Sequence, residues 1–268
     1  MITTDFVPGS PCWLDLGAPD VSAAGDFYSA VLGWEFAPME GSDGAFGLAT
    51  SDGRTAAGIG LLTERGARSA WMVYFFTPDV HETAASVLRA GGTVRVEPQD
   101  ADGWASVAQF TDPQGGQFAA WTPGRARGLE ATDDPGALCW TELYTTDASA
   151  ALAFYETVFG WQREDMKMPG GGGETYTIVT PAGQPAERMH GGVLQVPPEQ
   201  LSLSRGLPSW HPVFTVSDCD AAAATVRTKG GEVLMGPADA PGIGRMAVCA
   251  DGAGADFVLM TPAEAPAS

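Results

Sequence analysis

The sequence predicts an α+β fold made of two copies of one domain, each copy built from two βαβββ units. Three observations predict it. One long segment of the chain recurs almost in register, a strand and a capped helix alternate within each copy, and the 268 residues suffice for two domains of ordinary size.

The internal repeat sets the domain boundaries. CWLDLGAPDVSAAGDFYSAVLGW begins at Cys12 and recurs as CWTELYTTDASAALAFYETVFGW from Cys139, an offset of 127 residues (139 − 12). WMVYFFTPDVHETAASVLRAGG from Trp71 matches WHPVFTVSDCDAAAATVRTKGG from Trp210 at an offset of 139 (210 − 71), so the second copy carries an insertion. We expect an N-terminal domain over residues 8–123, a linker over 124–135 that is rich in Pro, Gly and charge, and a C-terminal domain over 136–263.

Each element of the first copy has a local signature. Residues 12–17 alternate like a strand, Asp20 is placed to cap a helix, and apolar residues recur at helical spacing until Gly33 ends it. The second unit repeats this order, with a strand over 71–77, a cap at Asp79, and a helix that includes 84–88 and ends at Gly91 and Gly92. The strands predicted to follow are 93–97, 106–111 and 117–122.

Composition excludes several classes of function. The chain has 14 Lys and Arg against 33 Asp and Glu, a formal net charge of −19, which would repel nucleic acid and anionic membranes. No apolar run is long enough to span a bilayer. The four cysteines have no CxxC spacing, so we expect buried thiols rather than a zinc or redox site in a cytoplasmic protein.

Two motifs carry a resemblance to a known family. DVSAAGDFYSAVLGW and DASAALAFYETVFGW open the two copies, and TDPQGGQF lies near the end of the first. With them the chain resembles the vicinal oxygen chelate superfamily, which includes glyoxalase I, bleomycin-resistance proteins and extradiol dioxygenases, and is most similar to its tandem actinobacterial members. The resemblance implies a curved sheet around a cleft in each copy. It leaves the activity open, because this fold hosts both metal enzymes and drug-sequestering proteins.

The same resemblance implies three metal-ligand positions in each copy. They fall on Trp13, Met72 and Ala119 in the first copy and on Trp140, His211 and Val258 in the second. Since one imidazole cannot hold a divalent ion, we expect no metal and no other cofactor. The alternative is a metal held by His211, Glu142 and Asp256, if strand alternation brings them together.

The remaining side chains predict a pocket for a flat, largely apolar molecule. The aromatic and sulfur-containing candidates for its lining are Trp13, Met72, Trp104, Phe118, Trp121, Trp140, Trp210 and Met260, and the polar candidates are Asp15, Glu142 and His211. Any of these aromatic residues could instead fill the core. His81 and His190 are predicted to be exposed or capping residues, and the glycine-rich insertion at 166–176 either covers the cleft or is an idle loop.

Two hypotheses of function follow. In the first, the protein binds a small hydrophobic or aromatic molecule without changing it, in antibiotic self-resistance or as an accessory protein of secondary metabolism. In the second, it is a glyoxalase-like or dioxygenase-like enzyme, an isomerase, cyclase or hydroxylase, in which His211 and Glu142 of the second copy are catalytic. Pairing of the two copies within one chain allows a monomer, and a homodimer is the other expected state.

Overall fold

A computed structural model describes residues 1–63, 66, 68–167, 175–204 and 206–263. Both copies follow the predicted order of elements. The first copy contains β1 (Pro11–Ala18), α1 (Val21–Leu32), β2 (Glu35–Pro38), β3 (Phe46–Ser51), β4 (Arg54–Leu61), β5 (Ala70–Phe76), α2 (Val80–Arg89), β6 (Thr93–Asp100), β7 (Ala105–Thr111) and β8 (Gln117–Pro123). The second βαβββ unit of this copy thus begins at β5, as predicted.

The second copy repeats this order and adds two short 3₁₀ helices, Ala186–Arg188 and Pro198–Ser204. Its other elements are β9 (Leu138–Thr145), α3 (Ala148–Phe159), β10 (Gln162–Lys167), β11 (Thr175–Thr180), β12 (Gly191–Gln195), β13 (Ser209–Thr215), α4 (Cys219–Thr228), β14 (Glu232–Ala240), β15 (Gly244–Ala250) and β16 (Asp256–Pro262). Most of the glycine-rich insertion, residues 168–174, lies outside the described residues.

The strands form two eight-stranded sheets of matching order, β2-β3-β4-β1-β5-β8-β7-β6 and β10-β11-β12-β9-β13-β16-β15-β14. β1 runs parallel to β4, with Asp15 opposite Gly58. β9 runs parallel to β12 in the same way, with Glu142 opposite Gly192. The fold class predicted from the sequence is confirmed, with two tandem domains of two βαβββ units each.

An aspartate side chain caps the N-terminus of each of the four α-helices in the described residues, as the capping pattern predicts. The Asp20 carboxylate accepts a hydrogen bond from the Ala23 amide at 2.9 Å, and the Asp79 carboxylate accepts one from the His81 amide at 2.7 Å. α1 ends at Gly33, which has a φ of 74° that suits glycine. These caps fix where each helix starts relative to the strand before it.

The chain divides into two compact units, neither of which is a continuous stretch of sequence. One unit contains residues 1–13, 72–130 and 140–211, and the other contains 14–71, 131–139 and 212–268. Each has a core of packed aromatic rings. In the first unit, Phe75, Phe118, Tyr155, Phe159 and Trp161 are neighbours, and in the second, Tyr28, Trp34, Trp71, Phe214 and Phe257 are.

A buried Tyr–Asp–Trp chain recurs in the two units. In the first, the Tyr155 hydroxyl donates to Asp112 Oδ2 at 3.0 Å and accepts from Trp210 Nε1 at 2.8 Å. Burial raises the pKa of this tyrosine well above its usual value and that of the Asp112 carboxyl as well. Tyr28, Asp251 and Trp71 form the equivalent chain in the second unit. The tyrosine of each FY motif is therefore structural.

In the described part of the chain, no helix combines the length and apolar character required to cross a bilayer.

Candidate functional site

Two tryptophans of the first copy cover each other. Trp13 of β1 stacks on Trp121 of β8 with ring centroids 5.1 Å apart and an interplanar angle of 23°. The two residues are only 3% and 5% exposed, and the Tyr74 and Trp121 rings pack edge to face with centroids 6.0 Å apart. The stacking covers one face of each indole and the low exposure leaves little of either residue accessible, so the structure gives both residues a packing role.

The other candidates of the first copy are more dispersed. Met72 of β5 is half-buried, and Trp104 is half-buried in the turn between β6 and β7. The Asp15 carboxylate packs against Gly58, where a Cβ atom would lie only 2.2 Å from Asp15 Oδ1. The Phe46 ring packs against the same glycine.

The second copy brings its candidates together around one carboxylate. Trp140, Glu142 and Tyr144 alternate along β9 and therefore share one face of the sheet. The Glu142 side chain accepts a hydrogen bond from the Tyr176 hydroxyl at 3.0 Å on Oε1 and one from the Tyr144 hydroxyl at 2.8 Å on Oε2. The Trp140 indole N–H donates to the Tyr176 hydroxyl at 2.7 Å, which extends this network to a fourth side chain.

His211 of β13 completes the group. Its ring lies against the Tyr144 ring with centroids 4.4 Å apart and an interplanar angle of 37°, and its Nε2 is 3.4 Å from the Ser209 hydroxyl. We call Trp140, Glu142, Tyr144, Tyr176 and His211 the Glu142 cluster. Glu142, Tyr176 and His211 are buried, at 7%, 8% and 3% exposed. Trp140 and Tyr144 are half-buried, so these two residues of the cluster are partly accessible to solvent.

A glycine makes room for the cluster. A Cβ atom at Gly192, directly opposite Glu142 in the sheet, would lie 2.1 Å from the Tyr176 hydroxyl. Burial and the charge of Glu142 raise the pKa of Tyr176 well above its usual value, so this hydroxyl stays protonated and donates.

Tyr144 and Tyr176 are site residues that the sequence analysis missed. Aligned with the repeat, Tyr144 corresponds to Gly17 at the offset of 127, and His211 corresponds to Met72 at the offset of 139. Tyr176 corresponds to Phe46 by strand pairing. Tyr176 lies two residues before Ile178, which pairs with Gly192, and Phe46 lies two residues before Leu48, which pairs with Gly58. The first copy therefore lacks both hydroxyls and the imidazole. Comparing the two copies position by position would have found this signal.

Two predicted site residues, Phe118 and Trp210, lie in the core. Phe118 is fully buried against α3, with its ring 5.2 Å from that of Tyr155, and Trp210 donates to the Tyr155 hydroxyl. Phe118 faces the opposite side of β8 from Trp121, and Trp210 faces the opposite side of β13 from His211. We therefore correct the role of Phe118 and Trp210 from ligand binding to core packing. Met260 of β16 is half-buried opposite Thr215.

His190 also differs from its prediction as an exposed or capping residue. It is 1% exposed and packs against Trp161, with ring centroids 4.9 Å apart. Burial lowers its pKa to about 3, so this histidine is neutral at physiological pH. It is a core residue and not part of the Glu142 cluster.

The resemblance implies six metal-ligand positions, and most of the side chains at them are poor ligands. Indole, thioether and alkyl side chains occupy five of the six family positions, namely Trp13, Met72, Ala119, Trp140 and Val258, and none of these groups binds a hard divalent ion. In the described ranges, no three His, Cys, Asp or Glu side chains group closely enough to hold a metal. The alternative of a metal shared by His211, Glu142 and Asp256 thus has no support among these residues.

Known sequences and structures resemble both copies. The profile described as Glyoxalase/Bleomycin resistance protein/Dioxygenase superfamily matches residues 137–259, and that of a glyoxalase-like domain matches 13–121. The anthracycline biosynthesis protein DnrV of Streptomyces peucetius is 35% identical over 96% of this chain and 94% of its own length. CFP32 of Mycobacterium tuberculosis, whose name includes the word glyoxylase, is 32% identical over 97% of both chains.

Solved structures show the same fold at low sequence identity. The 2,3-dioxygenase LapB from Pseudomonas sp. KL28 superimposes with a TM-score of 0.65 and 14% identity, covering 98% of this chain and 95% of its own. The Mn(II)-bound glyoxalase from Novosphingobium aromaticivorans gives a TM-score of 0.62 at 17% identity. From its two profile matches and its full-length relatives, the chain belongs to the glyoxalase/bleomycin resistance protein/dioxygenase superfamily, as a tandem two-domain member.

Proposed function

We propose that the protein binds a small, largely aromatic molecule at the Glu142 cluster of its second copy, and that it does so in secondary metabolism. The observation that carries this proposal is the grouping of aromatic rings, those of Trp140 and Tyr144 in half-buried residues, around a hydrogen-bonded carboxylate. Rings supply contact area, and a few polar groups fix orientation, which is the usual division of labour in a small-molecule site.

The first copy supports a single site per chain. Its equivalent face has Trp13 and Trp121 stacked on each other, with Phe46 and Gly17 where the second copy has tyrosines. The relatives DnrV and DauV, both named as anthracycline biosynthesis proteins, support a setting in secondary metabolism, as an accessory protein or in antibiotic self-resistance.

Titration with flat aromatic compounds, including an aromatic polyketide, tests the proposal. Binding should quench tryptophan fluorescence and raise the melting temperature with a stoichiometry of one. Replacing Trp140→Phe removes the indole N–H that bonds Tyr176 and should weaken binding about tenfold, within the range of single interface contacts. The matched first-copy variant Trp13→Phe should change affinity by less than about twofold, since that ring faces Trp121. No response across a broad panel would overturn the proposal.

A second candidate function is acid–base catalysis by His211, favoured by its place against Tyr144 at the edge of a carboxylate network. An imidazole can take or give a proton near neutral pH. Mass spectrometry of a bound compound before and after incubation would separate the two functions. Catalysis predicts a changed product that disappears in His211→Gln, whereas simple binding predicts an unchanged compound in both proteins.

A further inference from the structure

We propose that the ligand of the Glu142 cluster carries a positive charge, as an aromatic molecule with a protonated aliphatic amine or a quaternary ring nitrogen would. This inference rests on the proposed function, because it assigns a chemical class to the molecule that binds there. It follows from the way in which the Glu142 carboxylate is buried.

Glu142 is a buried acid whose hydrogen-bond partners are neutral. Its side chain is 7% exposed, and its oxygens accept hydrogen bonds from the two tyrosine hydroxyls. In the part of the chain that the structure describes, no arginine or lysine forms an ion pair with it. Buried glutamates are rare in proteins unless they are paired. A cationic ligand would supply the missing opposite charge.

The rings around the carboxylate favour the same ligand. The face of an aromatic ring is electron-rich and attracts a cation, most strongly for tryptophan and when water is displaced. Trp140 and Tyr144 are half-buried, so part of each residue is accessible from solvent. Donation by the tyrosine hydroxyls to Glu142 adds electron density to both tyrosine rings, which strengthens this attraction.

The net charge of the whole protein also favours a cationic ligand. The formal net charge of −19 attracts cations from solution and repels anions. In the first copy, the ring equivalent to that of Tyr176 is Phe46, which has no hydroxyl group, and the residue equivalent to Tyr144 is Gly17, which has no ring. The aromatic shell around the carboxylate is therefore particular to the second copy.

An isosteric pair of probes tests the proposal, 1-methylquinolinium, which is a cation, and 1-methylnaphthalene, which is neutral and has the same shape. Tryptophan fluorescence would be titrated with each at low and high salt, in the wild type, in Glu142→Gln and in the first-copy control Asp15→Asn. We expect the wild type and Asp15→Asn to prefer the cation at least about tenfold, with salt weakening only its binding. Glu142→Gln keeps the shape and removes the charge, and one tyrosine hydroxyl must turn to accept from the new amide instead of donating. This variant should bring the two affinities within about twofold of each other.

The outcomes separate the two proposals. Equal binding of both probes to the wild type would overturn the cation proposal and leave the proposed function standing, and binding of neither probe would contradict both. If Glu142→Gln does not fold, as judged by circular dichroism, Tyr144→Leu replaces it, since that variant removes a half-exposed ring and keeps the carboxylate. It should reduce affinity for the cation more than for the neutral probe, and equal losses would count against the proposal.

Discussion

Acid should destabilise this protein through His190. The imidazole is 1% exposed beside the rings of Trp161 and Phe75, and neither ring nitrogen has a hydrogen-bond partner. Burial, with a smaller contribution from the charged N-terminus, lowers its pKa from 6.5 to about 3. The unfolded chain therefore takes up a proton below pH 6.5 that the folded protein refuses, so the free energy of unfolding falls as pH falls from about 6.5 toward 3.

The magnitude follows from the two pKa values. At pH 5 the histidine is 1.5 pH units below its ordinary pKa of 6.5, and each unit corresponds to about 1.36 kcal/mol. The wild type should thus lose about 2 kcal/mol between pH 7 and pH 5 from this residue alone.

Urea unfolding of the wild type and His190→Leu at both pH values measures this loss. The leucine variant should lose about 2 kcal/mol less than the wild type on acidification, while His81→Gln, at an exposed position, should behave as the wild type does. Buried acids such as Asp112 and Asp251 titrate in all three proteins, so their effects cancel in the comparison. Equal losses in the wild type and His190→Leu would refute the assignment of a neutral, buried imidazole.

Three further predictions concern packing. Tyr155→Phe leaves the buried Asp112 carboxylate and the Trp210 N–H without their shared hydroxyl and should lower the free energy of unfolding by about 1–3 kcal/mol in urea; an unchanged midpoint would contradict it. Gly192→Ala places a Cβ atom 2.1 Å from the Tyr176 hydroxyl, so the melting temperature should fall and aromatic ligands should bind more weakly, and an unaltered affinity would argue against the site. All four cysteines are free and buried, so Ellman's reagent should react with them only after denaturation, and rapid reaction of the native protein would disprove their burial.

The sequence predicted the elements that depend on local signals. Asp20 and Asp79 cap helices, and Gly33 ends one, because these effects involve only residues within one turn. The repeat predicted the four βαβββ units for a related reason, since similar segments fold alike wherever they occur in the chain. The fold class was therefore accessible before any coordinates.

The site was only partly accessible. Glu142 and His211 could be selected because strand alternation and the resemblance pointed to them. Tyr176 reaches Glu142 from β11, and no local sequence signal around either residue indicates that the two side chains are in contact. The prediction of Phe118 as a ligand-binding residue overlooks its alternation with Trp121 along β8, which turns one of the two toward the helices. The position of His190 before a strand favours an exposed or capping residue. Its burial depends on Trp161, which lies far from it in sequence.

The interleaving of the two compact units has a consequence for dissecting the protein. The chain changes unit at residues 13/14, 71/72, 130/131, 139/140 and 211/212, so neither sequence half contains all segments of either unit. A fragment that ends near residue 130 would lack partners for much of its apolar surface and should aggregate or remain unfolded when expressed alone. Proteolysis between the halves should instead give a nicked protein whose two pieces remain together until denaturant is added. Because each compact unit contains segments from both halves of the sequence, the folded protein could be reassembled from half-length fragments only if both halves were expressed together.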